Sequence, residues 1–143
     1  MVLYRKLLIA AGLGFCTFAL AGAASAQNYP DRLITVIIPF AGGSASDVVS
    51  RVMLARMSKS MGQSIVVENR PGAGGNTGTA AGAKAAPDGY TLIGGGSGPI
   101  AANITLYKDL GYDPLKDLEI ISPFAGFTIV VVASKTHAAV EGN

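Results

Sequence analysis

Residues 33–47 read Leu-Ile-Thr-Val-Ile-Ile-Pro-Phe-Ala-Gly-Gly-Ser-Ala-Ser-Asp, and this stretch decides the fold. The nearly continuous apolar run at residues 33–38 is typical of a strand buried on both faces, as in parallel sheets. Pro39 ends the run, and a loop with two glycines follows. Ser44 and Asp47 then have the spacing of a helix-capping box. The stretch therefore predicts a strand, a tight loop and a helix.

Residues beyond the cap support the predicted helix. Asp47 and Arg51 lie four residues apart, a spacing that brings opposite charges together on a helix surface. Gly62 suits the helix end, because glycine readily takes the left-handed conformation found there. Four apolar residues at helical spacing form the expected buried stripe: Val49, Met53, Met57 and Met61.

Two further apolar runs follow, at residues 65–67 and 90–93, and an alanine-rich segment at residues 77–86 separates them. Strands and helices therefore alternate, and right-handed crossovers are the default for this order. We expect an α/β fold, a mostly parallel sheet with helices on both faces. The small residues of the second helix would let it lie close to the sheet. A short helix is expected at residues 104–107, and a valine-rich last strand at residues 127–133.

Each of the first three predicted strands leads into a glycine-rich segment, at residues 39–44, 69–76 and 94–98. The carboxyl ends of parallel strands meet at one edge of a sheet, where open α/β sheets bind ligands. Backbone N–H groups there suit a small polar or anionic ligand, and the helix N-terminus after the first loop favours a carboxylate. Alternatively, the glycines only permit tight turns and Ser44 only caps the helix. The cleft prediction fails if the strands pair antiparallel.

Other chemistries find little support in the sequence. His137 is the only histidine and lies in a polar tail. No nucleophile, base and orienting group occur together. A dinucleotide-binding fingerprint that starts at Gly72 and Gly74 requires a third glycine at position 77, where the chain has threonine. We predict no catalytic residue, no metal site and no cofactor.

Two charged residues near the loops have open interpretations. Asp47 could be a catalytic acid or a metal ligand, but no second carboxylate or histidine lies near it in sequence, so helix capping is favoured. Arg70 could contact a ligand, or it could form a surface ion pair with Glu68.

Residues 1–26 have the organisation of a cleavable signal peptide. A basic start is followed by an apolar stretch at residues 7–20 and by Ala-Ser-Ala at residues 24–26. A retained membrane anchor is the alternative, although the apolar stretch is short for a membrane span. Cleavage would remove the only cysteine, Cys16, and two of the 11 basic residues but none of the nine acidic ones. The exported chain would then be formally neutral, which argues against a nucleic-acid partner and favours the periplasm.

Several motifs together resemble one known family, the Bug (TctC-like) periplasmic solute-binding receptors of tripartite tricarboxylate transporters. They are Val-Ile-Ile-Pro-Phe-Ala at residues 36–41, Asn-Arg-Pro-Gly-Ala-Gly-Gly-Asn at residues 69–76, Pro-Asp-Gly-Tyr-Thr-Leu at residues 87–92 and Tyr-Asp-Pro at residues 112–114.

The resemblance implies a type II periplasmic binding protein fold, in which two lobes clamp a ligand. Residues 27–126 would form an incomplete first lobe, and residues 127–143 a crossing strand and the truncated start of the second. Because family members are longer, we expect a fragment that binds ligand poorly by itself.

The implied function is an extracytoplasmic, non-enzymatic receptor that binds a small carboxylate and delivers it to the permease subunits of the transporter. The full-length protein is expected to be a monomer. An exported α/β enzyme acting on a small carboxylate, or a periplasmic ligand sensor, are the alternatives.

The resemblance also assigns ligand contacts. The first loop would contact the carboxylate, and the third loop would provide a second contact. Gly-Gly-Ser at residues 42–44 departs from the family's usual Pro-Gly-Gly but keeps an array of backbone donors. The expected ligand-binding residues are Phe40, Ala41, Gly42, Gly43, Ser44, Asp47, Ser97 and Gly98.

Overall fold

The computed structural model describes residues 28–128 and residue 130. A first unit of the chain ends at Asp31 and a second begins at Arg32, and all elements named below belong to the second. The predicted signal peptide, Cys16, His137 and most of the predicted last strand lie outside the described residues.

Three strands form one sheet: β1 (Ile34–Ile38), β2 (Ile65–Asn69) and β3 (Thr91–Ile93). Their order is β2-β1-β3, and both pairings are parallel. The parallel sheet predicted from the sequence is confirmed. β1 lies at the centre, consistent with its continuous run of β-branched residues, since a central strand of a parallel sheet is covered on both faces.

Helix α1 (Ala45–Met61) begins and ends where the sequence predicts. Ser44 is its N-cap, and the Ser44 Oγ accepts a hydrogen bond from the Asp47 backbone N–H at 3.3 Å. Gly62 follows the helix with φ 67°, in the left-handed region that favours glycine.

The later helices are short. A 3₁₀ turn (Ala73–Gly75) leads into α2 (Asn76–Ala83), which ends three residues earlier than the sequence predicts. After β3, a π-helical turn (Gly98–Ala102) continues directly into α3 (Asn103–Leu106), close to the short helix expected there.

The main core lies between α1 and one face of the sheet. Ile34, Val36 and Ile38 alternate along β1, and with Leu54 of α1 they form the buried apolar cluster. Partly buried apolar residues surround this cluster: Phe40, Met53, Met57, Met61, Ile65, Val67, Tyr90 and Leu92.

The buried stripe of α1 differs by one position from the prediction. Asp47, Ser50 and Leu54 are the buried residues of this helix, whereas Val49 and Met53 are only partly buried. The Asp47 side chain is buried, and its carboxylate accepts a hydrogen bond from Gly43 in the first loop. Ser50 lies beside Gly94, where a built Cβ would be at ordinary contact distance, 3.5 Å, from the Ser50 Oγ.

Helix α2 covers the opposite face of the sheet through two glycines. A Cβ built on Gly82 would lie 2.3 Å from the Ile93 Cγ1, and one built on Gly78 would lie 2.8 Å from the Pro39 Cα. The backbone of α2 therefore contacts the sheet side directly, as the small residues of this segment predict. With α1 and α2 on opposite faces, the helices cover both sides of the sheet.

Residues 107–128 and residue 130 contain turns and extended chain but no helix or strand. The predicted last strand is not formed at residues 127, 128 and 130, and its other residues lie outside the described part. Among the described helices, none has both the length and the apolar character that a membrane crossing requires.

Candidate functional site

The three glycine-rich loops meet at the carboxyl edge of the sheet, around the ring of Phe40. A Cβ built on Gly75 in the second loop would lie 3.4 Å from the Phe40 Cζ, and one on Gly96 in the third loop would lie 3.8 Å from it. The loops therefore come together as the parallel arrangement predicts.

Asp47 ties the first loop to the first turn of α1 and to the end of β2. Its carboxylate accepts hydrogen bonds from the Gly43 N–H, the Arg51 Nε and the Asn69 Nδ2, each at 2.9 Å. The Asp47 residue is only 3% exposed. The interpretation of Asp47 as part of the helix start agrees with this geometry, and the predicted ion pair with Arg51 is confirmed.

The capping box differs in one bond from the arrangement that its motif predicts. In the standard box the carboxylate accepts a hydrogen bond from the backbone N–H of the capping residue. Here the Asp47 carboxylate accepts from the N–H of Gly43, one residue before the cap, because the Ser44 N–H already donates to the Ala41 carbonyl at 3.1 Å. Gly43 has φ 80°, which places its N–H within reach of Asp47.

Asn69 is a site residue that sequence reasoning missed. Its Nδ2 donates to the Phe40 carbonyl at 3.1 Å as well as to Asp47, and its Oδ1 accepts from an Arg51 NH2 group at 2.9 Å. Asn69 thus holds both ends of the first loop. Its position at the end of β2, next to the loop that follows the central strand β1, could have indicated this role. From the sequence, Asn69 is expected in the second loop, whereas in the structure it is the last residue of β2.

The first turn of α1 has two backbone N–H groups with no hydrogen-bond partner among the described residues. A helix leaves its first four N–H groups unsatisfied. The Asp47 N–H donates to the Ser44 Oγ, and the Val48 N–H donates to the Ser44 carbonyl. The N–H groups of Ala45 and Ser46 have no acceptor in residues 28–128, so they are available to an anion at the positive end of the helix.

The Asp47 carboxylate stays ionised over a wide pH range. The hydrogen bond from Arg51 contributes most, with those from Gly43 and Asn69, and together they lower the pKa of Asp47 from 3.8 to about 2. The charge of Asp47 is offset by its ion pair with Arg51. The site therefore carries little net side-chain charge, and the helix end remains its positive element.

A pH titration should show the stabilising role of Asp47. Its pKa is lower in the folded than in the unfolded chain, so its contribution is complete above about pH 4 and is lost as the pH falls toward 2. We expect an Asp47→Asn variant to be less stable than the wild-type protein at about pH 5 and to approach it as the pH falls. Urea unfolding at several pH values measures the difference. A difference that stays constant with pH, or an equal trend in the exposed control Glu119→Gln, would contradict this role.

The second predicted contact region lies beside the second loop. Ser97 is exposed, and Gly98 is partly buried. A Cβ built on Gly98 would lie 3.7 Å from the Gly74 carbonyl oxygen. Arg70 forms an ion pair with Glu68 at 2.8 Å. Of the two interpretations of Arg70, the structure therefore shows the surface ion pair. Arg51 is the cation that the fold brings to the first loop.

The described residues contain no group of three or more His, Cys, Asp or Glu side chains that could hold a metal ion. The carboxyl edge of the sheet instead provides backbone N–H donors beside a small loop that hydrogen bonds hold in place. Such an arrangement can bind a carboxylate by hydrogen bonds.

Comparison with known proteins agrees with this geometry. A family model described as "Tripartite tricarboxylate transporter family receptor" matches residues 49–140, more than half of the chain. The chain belongs to this family. Among curated relatives, Protein BugT of Bordetella pertussis is 40% identical over 130 residues.

Solved structures of this receptor family share the fold. MatC from Rhodopseudomonas palustris, determined with bound malate, superposes with a TM-score of 0.59 at 46% identity over 62% of this chain. Rpa4515 from R. palustris, determined with adipate, gives a TM-score of 0.59 at 41% identity over 61% of this chain.

The chain spans only part of the receptors that it matches: 40% of BugT and 30% of MatC. The structure contains a three-stranded sheet with its helices, which fits part of one lobe of a periplasmic binding protein.

Proposed function

We propose that this chain provides the first lobe of an extracytoplasmic solute receptor that binds a small carboxylate for a tripartite tricarboxylate-type transporter. The observation that carries the proposal is the pair of free N–H groups, Ala45 and Ser46, at the start of a 17-residue helix beside an anchored glycine loop. A carboxylate oxygen accepts hydrogen bonds from such groups and is favoured by the helix dipole.

The anchoring of the first loop supports this role. Binding is stronger when the donors already have the geometry of the complex, because less conformational freedom is lost. The Gly43 N–H is held by Asp47, and the Phe40 carbonyl is held by Asn69. The loop is thus fixed from both sides before any ligand arrives.

Each predicted contact residue has a place in the proposal. Phe40 and Ala41 form the start of the loop, and Gly42 and Gly43 keep the approach to the helix end free of side chains. Asp47 acts through the loop, since its oxygens are already hydrogen-bonded to protein donors. The remaining members are Ser44, which caps the helix, and Ser97 and Gly98, which would provide a second contact from the third loop.

The names of related structures point to the same chemistry. Malate and adipate, the compounds bound to MatC and Rpa4515, are dicarboxylates. A small carboxylate or dicarboxylate is therefore the ligand class that we propose, with a role in solute capture and no catalytic turnover.

The whole receptor would act by closing two lobes around its ligand, a hinge movement that the membrane permease then recognises. In this proposal residues 1–26 are a cleavable signal peptide that exports the protein to the periplasm. Residues 27–126 belong to the first lobe, and residues 127–143 to the crossing strand and the start of the second. The full-length receptor would be monomeric.

Amide chemical shifts of the ¹⁵N-labelled 143-residue chain test the carboxylate site directly. On titration with malate or adipate at millimolar concentration, we expect the largest shifts at Ala45 and Ser46, with smaller ones at Gly43. Their neutral diamides serve as controls and should leave these signals in place, since they lack the charge that the helix end favours. Absence of any shift at Ala45 and Ser46, or shifts centred away from the first loop, would refute the proposal.

A further inference from the structure

Tyr112 bridges two of the three loops through its phenol group. Its hydroxyl donates to the Pro99 carbonyl at 2.6 Å, in the turn that follows the third loop. It also lies 3.3 Å from the Oδ1 of Asn76, which is the last residue of the second loop and the first of α2. Burial raises the pKa of Tyr112, so the phenol keeps its proton and remains a donor.

Two buried asparagines extend this bridge. Asn103 of α3 donates from Nδ2 to the Asn76 Oδ1 at 2.6 Å and to the Gly74 carbonyl at 3.2 Å. Asn76 and Asn103 are 4% and 5% exposed, so water does not compete for these bonds. Buried hydrogen bonds of this kind resist displacement because their partners would be left unsatisfied.

The bridge leads to the ring at the centre of the site. A Cβ built on Gly75 would be 3.2 Å from the Pro99 Cγ and 3.4 Å from the Phe40 Cζ, so Gly75 lies close to both rings. A shift of Pro99 would therefore change the packing of Gly75 against Phe40. Ser97 and Gly98 immediately precede Pro99 and would move with it.

We propose that Tyr112 is a positioning residue for the carboxylate site, which holds the third loop against the second so that Ser97 and Gly98 face the ligand. The inference rests on the proposed function for its ligand and on the hydrogen bonds above for its geometry. It assigns a role to the Tyr-Asp-Pro motif at residues 112–114, which lies outside the three glycine-rich loops.

The test compares Tyr112→Phe with Tyr107→Phe in the full 143-residue chain. Both changes remove one hydroxyl and keep the ring. The Tyr107 hydroxyl lies close to Gly74, where it would be 2.8 Å from a built Cβ, but it forms no hydrogen bond to the described residues. In the ligand-free protein, Tyr112→Phe should shift the amide signals of Gly74, Ser97 and Gly98, and Tyr107→Phe should leave Ser97 and Gly98 in place.

Malate titration gives the second measurement. Tyr112→Phe should weaken malate binding about threefold, consistent with losing one net hydrogen bond's contribution to positioning. Thermal melting should show that the variant stays folded. Unchanged signals at Ser97 and Gly98, or unchanged affinity where the wild-type chain binds malate, would overturn the positioning role. If the wild-type chain binds no carboxylate, the proposed function is refuted. The amide shifts of the ligand-free variants still test whether Tyr112 positions the third loop.

Discussion

Replacing Gly78 with alanine should destabilise the protein by about 2 kcal/mol or more, in the upper range of overpacking effects. The new Cβ would lie 2.6 Å from the Arg70 carbonyl oxygen and 2.8 Å from the Pro39 Cα. Both are backbone atoms and cannot rotate away. Alanine is the better helix former by about 1 kcal/mol, but this gain is smaller than the cost of separating α2 from β1.

Two other glycine-to-alanine changes serve as controls for Gly78→Ala. At Gly82 the Cβ would meet the Ile93 side chain, at 2.3 and 2.5 Å, and that side chain can adopt another rotamer. Gly82→Ala should therefore cost less than Gly78→Ala. At Gly126 no atom lies within 4 Å of a built Cβ, so Gly126→Ala should leave the unfolding free energy nearly unchanged. Urea unfolding that ranks the three variants differently would contradict the close contact of α2.

Replacing Gly43 with valine should weaken carboxylate binding about tenfold or more, while lowering stability by about 1 kcal/mol. Valine would not crowd the loop, since a Cβ at this position meets nothing within 4 Å. Its cost comes from φ 80°, which a β-branched residue strongly disfavours. We expect the loop to relax to negative φ, which breaks the bond from Gly43 to Asp47 and moves the loop over the helix start.

Gly43→Asn provides the control for this change, because asparagine tolerates the left-handed region much better. It should retain most of the malate affinity despite its larger side chain. Malate titrations by amide shift and thermal melts of both variants separate binding from stability. Equal losses of binding and stability in Gly43→Val, or equally weak binding in Gly43→Asn, would contradict the conformational explanation.

The local features of the first strand, loop and helix could be predicted from the sequence. The apolar run before Pro39 identified the central strand. Ser44 and Gly62 marked the two ends of α1, and the four-residue spacing of Asp47 and Arg51 predicted their ion pair. These succeeded because each depends on residues within a few positions along the chain.

Features that join distant residues could not be predicted in the same way. The bond from Asn69 to the Phe40 carbonyl spans 29 positions, and the bond from Asn103 to Asn76 spans 27. Nothing in the spacing of asparagines along the chain specifies such a partner. The buried stripe of α1 was also displaced by one position, although Met53, Met57 and Met61 still pack against the core cluster.

The free N–H groups of Ala45 and Ser46 belong to the main chain, and every residue type except proline carries one. Recognition of the acid would therefore be robust to mutation at these two positions as long as the helix forms. Receptors that share this lobe could diversify in ligand preference through other surfaces during evolution, while the helix end proposed to bind the acid stays the same.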